Sequence, residues 1–216
     1  MYSKLQYISQ GLNSEEQLAN IERVLDNGCT WIQLRFKNQP HEQVLTLAEQ
    51  VRTLTEKYRS TLIINDSIDI AKHVDAEGVH LGLQDADILL ARSVMGSNKI
   101  IGGTANTIQH VQQRLTQKCD YIGLGPFRYT ETKQNLSPIL GLPGYKSILD
   151  QISKEEITIP IYAIGGIQLN DIDAILNTGI YGVAISGALT HSSQSDIIQK
   201  ILVQSDEKFN YSRSGV

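Results

Sequence analysis

The sequence predicts a single (β/α)8 TIM barrel of the α/β class, and three observations point there. Strand and helix patterns alternate from one end to the other, as a parallel sheet with helical crossovers requires. Eight strands can be counted, each followed by a helix or a candidate for one, and eight is the number that closes this barrel. The chain has 216 residues, enough for one domain with a substantial core, and no linker, repeat or composition break divides it. A doubly wound open sheet is the alternative. Its first strand-to-helix turn would more often carry a glycine fingerprint, and Gly11-Leu12-Asn13 is not one.

Leu5 to Ser9 is a short strand stopped by Gln10-Gly11. Ser14-Glu15-Glu16-Gln17 puts acids in a first helical turn, and Leu18, Ile21, Val24 and Leu25 follow at helical spacing as far as Asn27-Gly28. Trp31 to Arg35 is the second strand, and Pro40 opens a helix with Val44, Leu47, Val51 and Leu54 on one face. Leu62-Ile63-Ile64 is the apolar run of a strand buried on both faces. Ile68 to Val74 offers one or two helical turns, Gly78 to Gly82 a fourth strand, and Ile88 to Met95 a helix. Lys99 to Gly103 is the fifth strand, Ile108 to Leu115 a helix, and Tyr121 to Gly125 the sixth strand. A longer connection, Pro126 to Pro143, runs into a helix near Gly144 to Ile152. Ile159 to Ile164 is the seventh strand, Asp171 to Leu176 a helix and Gly182 to Ile185 the eighth strand. Ile197, Ile198, Ile201 and Leu202 make a last helix, so the barrel is expected over residues 1–204, with a polar tail at 205–216.

Composition narrows the function. The net charge is −4 and no cluster of Lys and Arg stands out, so the electrostatic footprint of a nucleic-acid binder is missing. No apolar segment has signal-peptide or membrane-span length, which points to a cytoplasmic protein with no membrane partner. Cys29 and Cys119 lack metal spacing and lie next to strands, the pattern of buried free thiols.

Chemistry collects at the strand ends, where parallel α/β proteins build active sites. Asp66 and Asp85 stand just past two consecutive strands. An Asp there also serves as a helix N-cap, but two in register on one rim favour a shared cation. Alternation puts Gln33, Arg35 and Lys37 on one side of the second strand, inward if Ile32 and Leu34 face the helices. Two inward cations are costly unless an anion meets them. After the sixth strand, Gly125 would let another molecule approach the backbone, with Thr130, Thr132 and Lys133 supplying donors and a charge. The glycine-bearing turns Gly165-Gly166 and Ser186-Gly187 end strands seven and eight, a common place for a phosphate in this fold. The rim therefore offers two anion sites. The first, with its carboxylates and cations, suits a diphosphate bound with Mg²⁺, and the second, mostly backbone, suits a monophosphate. His80 reads as a hydrogen-bonded core residue.

These residues resemble the thiamine-phosphate synthase family. The resemblance rests on Gln33-Leu34-Arg35-Phe36-Lys37, Ile64-Asn65-Asp66, and Gly78-Val79-His80-Leu81-Gly82 with Asp85. It continues through Gly123-Leu124-Gly125-Pro126, Thr130-Glu131-Thr132-Lys133, Ala163-Ile164-Gly165-Gly166-Ile167 and Gly182-Val183-Ala184. As a set, in this order, the motifs are specific and cover most of the chain. The resemblance implies a barrel enzyme that joins 4-amino-5-hydroxymethyl-2-methylpyrimidine diphosphate to 4-methyl-5-(2-hydroxyethyl)thiazole phosphate, or its carboxylated form, yielding thiamine phosphate and diphosphate. It implies that Gln33, Arg35, Lys37, Asn65 and Lys133 bind the pyrimidine diphosphate, with Arg35, Lys37 and Lys133 acting on the leaving group. Asp66 and Asp85 would hold Mg²⁺, and Thr130, Thr132, Gly166, Ser186 and Gly187 would surround the thiazole phosphate. Three positions depart from the family pattern. Phe36 replaces an acid on the side facing away, Thr104 replaces a Ser after strand five and keeps its hydroxyl, and Gly187 stands where Ser is usual. The connection Gln134 to Pro143 matches no site residue; a lid or a subunit contact in a homo-oligomer are both open readings. A thiazole tautomerase would want a general base, typically His, at the sixth-strand turn, where Pro126 stands instead. A non-catalytic sensor of thiamine precursors would have no reason to hold a metal beside a leaving diphosphate.

Overall fold

In the computed structural model, which describes residues 2–129, 138–153, 159–190 and 198, eight parallel strands close into a barrel in sequential order. The strands are β1 (Leu5–Ile8), β2 (Trp31–Leu34), β3 (Thr61–Asn65), β4 (Gly78–Leu81), β5 (Ile100–Ala105), β6 (Tyr121–Leu124), β7 (Ile161–Ile164) and β8 (Gly182–Ile185). The crossovers are α1 (Ser14–Asp26), α2 (His41–Lys57), α3 (Ile68–His73), α4 (Ile88–Met95), α5 (Ile108–Thr116), α6 (Gly141–Ser153), α7 (Ile172–Leu176) and α8 (Gly187–Thr190). Polar residues start several helices by accepting an orphan first-turn N–H: Asn13 from Glu16, Thr107 from His110. Among the described residues no helix is long and apolar enough to cross a membrane.

Element bounds differ from expectation at several ends, mostly by one residue, and α6 starts at Gly141 rather than near Gly144. β7 begins at Ile161, two residues late, because Pro160 has no N–H to extend the ladder. β5 runs on past Gly103 to Ala105, because Thr104 and Ala105 pair with Gly123 and Leu124 of β6. That places Thr104 inside the barrel mouth. After β8 a helix starts at once at Gly187; of the helix expected at 197–202 only Ile198 is described, helical and buried, and the tail at 205–216 lies outside the described residues.

Strand alternation divides the core in two. Outward residues such as Ile32, Leu34, Leu62, Ile64, Val79 and Leu81 pack beneath the helices, in one cluster with both cysteines. Burial pushes the Cys29 thiol up to about 11 and that of Cys119 to about 12, so both are inert. Inward residues form a second cluster of Ile8, Trp31, Ile63, Tyr121, Tyr162 and Ala184. Three of these rings meet edge to face inside the barrel: Trp31 lies 5.1 Å from Tyr121 and 5.3 Å from Tyr162, which are 5.7 Å apart. Glycines on neighbouring strands make the room. A Cβ at Gly102 would sit 2.2 Å from the Tyr121 ring, and one at Gly182 2.8 Å from Tyr162.

This complementarity yields a stability test. Gly102→Ala should destabilise the protein by about 1–3 kcal/mol, the usual cost of overpacking a filled interior. Denaturant titration measures it, and an unchanged midpoint would show slack around Tyr121.

Candidate active site

β2 delivers Gln33 into the barrel mouth, since Ile32 and Leu34 face the helices as alternation requires. Gln33 Nε2 donates to Asn65 Oδ1 at 2.8 Å, while its Oε1 is buried with no partner among the described residues. Just beyond, the Arg35 amide donates to Ser9 Oγ at 2.9 Å, which seats the chain against β1. The Arg35 guanidinium is half-buried, and burial pulls its pKa below the ordinary arginine value, opposed by the charge of Asp66. No hydrogen bond or ion pair among the described residues engages it. Lys37 Nζ meets Asp66 Oδ2 at 2.8 Å.

Neither rim carboxylate is a helix cap. Ser67 caps α3 and Asp87 caps α4, so both helices start without Asp66 or Asp85. Asp66 takes a left-handed backbone, φ 67°, and its N–H donates to His80 O at 2.8 Å. Asp85 Oδ2 accepts from the Gly82 N–H at 2.6 Å. The two carboxyl groups lie within hydrogen-bonding reach of each other. Burial, and then the neighbouring Asp85, raise the Asp66 pKa against the pull of Lys37. For Asp85 burial also pushes upward, but Asp66, the Gly82 N–H, Lys37 and His80 together hold it below the ordinary value. Two converging carboxylates with one carboxyl group reluctant to ionise fit a hard divalent cation. Among the described residues no third His, Cys, Asp or Glu joins them, so water and substrate oxygens would complete the shell, as Mg²⁺ favours.

Beneath the rim, His80 lies between Tyr121 and Thr104, at 3.0 Å from the Tyr121 hydroxyl and 3.0 Å from Thr104 Oγ1, the satisfied core histidine the strand pattern predicts. A groove of about 610 Å³ between α3 and α4 includes Asp66 in its lining, but none of Gln33, Arg35, Lys37 or Thr104, and so flanks the mouth.

The far wall joins β6 to β7. The Phe127 N–H donates to Ile164 O at 2.9 Å and the Arg128 N–H to Gly165 O at 3.1 Å, extending the pairing past both strand ends. Leu140 and Gly141 return onto Pro126 and Phe127, so the two described ends of this long connection sit together. Gly125 does not open the backbone to a ligand, as its sequence position suggests. A Cβ there would lie 2.1 Å from Ile164 O, so the glycine serves the approach of β7. Gly165 and Gly166 both have positive φ, 94° and 68°. Ser186 opens α8, its carbonyl accepting from Leu189 and Thr190, and its hydroxyl reaches Gln10 at 3.3 Å. The N–H groups of Gly187 and Ala188 begin that helix, where no i−4 acceptor exists. Thr130, Thr132 and Lys133 lie outside the described residues.

Sequence reasoning misses two residues of this wall. Arg128 forms a two-pronged ion pair with Asp171, Nη1 to Oδ2 at 2.5 Å and Nη2 to Oδ1 at 2.9 Å, and Nη1 also donates to Gly166 O at 2.8 Å. The Arg128 fork holds the Asp171 carboxyl below its ordinary range. Asp171 reads locally as a helix start, and no local pattern links it to an arginine 43 residues earlier.

Three comparisons bear on this arrangement. The family model for thiamine monophosphate synthase matches residues 6–189. The chain is 56% identical over 192 residues to the thiamine-phosphate synthase of Flavobacterium psychrophilum, spanning 89% of this chain and 93% of that protein. It is 53% identical over 204 residues to the thiamine-phosphate synthase of Flavobacterium johnsoniae, spanning 94% of each. Among solved structures, a thiamine phosphate pyrophosphorylase from Pyrococcus furiosus matches with a TM-score of 0.80 at 28% identity, over 94% of this chain and 96% of that one.

The carboxylate pair makes a prediction independent of turnover. Because folding raises the Asp66 pKa, its ionisation costs stability, and the cost grows as pH rises above the ordinary value of 3.8 through the folded value. Asp66→Asn removes that charge and, unlike Asp66→Ala, suits the left-handed backbone. With a chelator present at pH 7, its melting temperature should equal or exceed that of the wild type. A fall of more than about 2–4 °C, the shift expected for 1 kcal/mol in a chain of this size, would show that the Lys37 ion pair outweighs the crowding.

Proposed function

The chain belongs to the thiamine monophosphate synthase family and is a transferase of that kind, and from that premise we propose the reaction in detail. It joins 4-amino-5-hydroxymethyl-2-methylpyrimidine diphosphate to 4-methyl-5-(2-hydroxyethyl)thiazole phosphate (or the carboxylated thiazole), releasing diphosphate and thiamine phosphate. The carrying observation is the facing of Asp66 and Asp85 beside Lys37, with Arg35 half-buried and unengaged among the described residues. Asp66 and Asp85 would hold Mg²⁺, which when bound supplies positive charge to the departing diphosphate.

Each protein group has a plain task. Arg35 and Lys37 bind the diphosphate oxygens and, with Lys133, take up charge as the bond from methylene carbon to oxygen breaks, its electron pair leaving with the diphosphate. Gln33 Oε1, buried and without a donor among the described residues, receives an N–H of the pyrimidine amino group, with Asn65 fixing the amide. The Thr104 hydroxyl lines the same chamber. The electron-rich aminopyrimidine stabilises the resulting cation, and the thiazole nitrogen donates its lone pair to form the new bond. No protein nucleophile is needed; the residues orient two substrates and exclude water. Gly166, Ser186 and Gly187, with Thr130 and Thr132, receive the thiazole phosphate, mainly through backbone N–H groups. A tautomerase reading finds no histidine in the described sixth-strand turn, Gly125 to Tyr129.

Mixing both substrates with Mg²⁺ should release diphosphate, and chelation should stop it. Arg35→Ala and Lys133→Ala should each lower kcat by about 10²–10³-fold, as loss of one oriented electrostatic contact does elsewhere. Affinity for the thiazole phosphate should hold; its loss with kcat intact would mean the two anion sites are exchanged.

Gly166 needs a gentle substitution, since φ 68° would strain any β-branched residue. Gly166→Asn keeps the backbone and adds a side chain. It should raise KM for the thiazole phosphate about tenfold or more, the loss of one charge-assisted contact, and leave KM for the pyrimidine diphosphate unchanged. Equal effects on both substrates would place the second phosphate elsewhere.

A further inference from the structure

The turn after β7 has two consecutive glycines at positive φ, the residues with the greatest backbone freedom. Such a turn admits a phosphate only while its peptide planes are held, and nothing in the glycines themselves holds them. What holds them comes from the segment that follows β6. The Arg128 fork grips Asp171 with both Nη atoms and takes Gly166 O with Nη1, while Asp171 Oδ2 also accepts the Gln168 N–H at 2.8 Å. Both flanks of the turn, Gly166 before and Gln168 after, are thus bonded to one ion pair. The peptide is planar and trans, so fixing the Gly166 carbonyl toward Arg128 turns the Ile167 N–H the opposite way. The guanidinium is itself seated: it lies 4.9 Å over the Phe127 ring, which stacks on Tyr145 at 5.9 Å, whose hydroxyl donates to Leu124 O at 3.1 Å.

We propose that Arg128 and Asp171 are positioning residues that lock the Gly165-Gly166 turn in its phosphate-receiving conformation. This rests on the reading that Gly166 receives the thiazole phosphate. Neither residue touches substrate; each acts through the peptide of Gly166. The planar fork is essential. It reaches two carboxylate oxygens and a carbonyl from two nitrogens at fixed spacing, which a lysine ammonium, a single point charge, does not reproduce.

The test uses the full chain and the variants Arg128→Lys, Asp171→Asn and their combination, with thiazole phosphate as titrant in calorimetry and steady-state kinetics alongside. Arg128→Lys should weaken thiazole phosphate binding roughly tenfold, the loss of a charge-assisted contact, with KM for the pyrimidine diphosphate within about twofold of wild type. Asp171→Asn should act alike, and the combination should be no worse than either single variant, since both break one unit. Thiazole phosphate affinity within about twofold of wild type in Arg128→Lys, alongside a lowered melting temperature, would overturn the proposal and leave the ion pair a structural brace. Equal weakening of both substrates would overturn it as well. The reaction itself is judged separately. A wild type that binds thiazole phosphate but releases no diphosphate would refute the proposed reaction, while the calorimetric comparison still decides the clamp. A wild type that binds no thiazole phosphate would overturn both.

Discussion

The cross-section of the closed barrel is the constraint on which the rest of the molecule depends. Eight strands enclose a space that side chains must fill, and here Trp31, Tyr121 and Tyr162 fill it edge to face. Rings of that size fit because the strands beside them contribute no side chain at Gly102 and Gly182. Below, the Tyr162 and Tyr181 hydroxyls reach the carbonyls of Ser3 and Tyr2, so the polar ends of the rings are satisfied at the barrel floor. The Tyr121 hydroxyl accepts from the Gln6 amide and meets His80, which in turn meets the Thr104 hydroxyl. The apolar plug thus grades into a polar layer, and the strand ends above it form one rim.

On that rim the charges are arranged against the protein's own stability. A carboxylate with a left-handed backbone stands within hydrogen-bonding reach of a second, and burial and crowding raise its pKa. Arg35 is half-buried at a cost in hydration. Lys37 relieves Asp66 only in part. Crowded acids and a desolvated cation stand side by side here, an arrangement that costs stability and so marks the rim as a candidate site.

The opposite wall solves a different problem. It carries a turn of two glycines at positive φ, which has little stiffness of its own. Pairing of Phe127 and Arg128 with Ile164 and Gly165 carries the β6–β7 ladder beyond the barrel, and the ion pair with Asp171 closes it. Gly125 belongs to this wall, letting the Ile164 carbonyl come close. One wall of the mouth thus carries side-chain charge, and the other carries backbone paired between neighbouring strand ends.

What the sequence by itself determined was everything that depends on local periodicity. Alternation in Trp31 to Arg35 put Gln33 on the face opposite Ile32 and Leu34, the apolar runs counted eight strands, and the residues after those runs named Asp66 and Asp85 as rim carboxylates. What only the tertiary structure decided depends on partners far apart in the chain. Ser67 and Asp87, not Asp66 and Asp85, cap their helices, and this emerges only from which oxygen faces which N–H. β5 extends to Thr104 because β6 lies beside it to pair. Gly125 answers to a carbonyl on the next strand, and Arg128 to an aspartate 43 residues away. A repeat of two or of 3.6 residues records which face a side chain occupies. It carries no information on what stands opposite, because closure of the barrel, and not the local chain, brings those groups together.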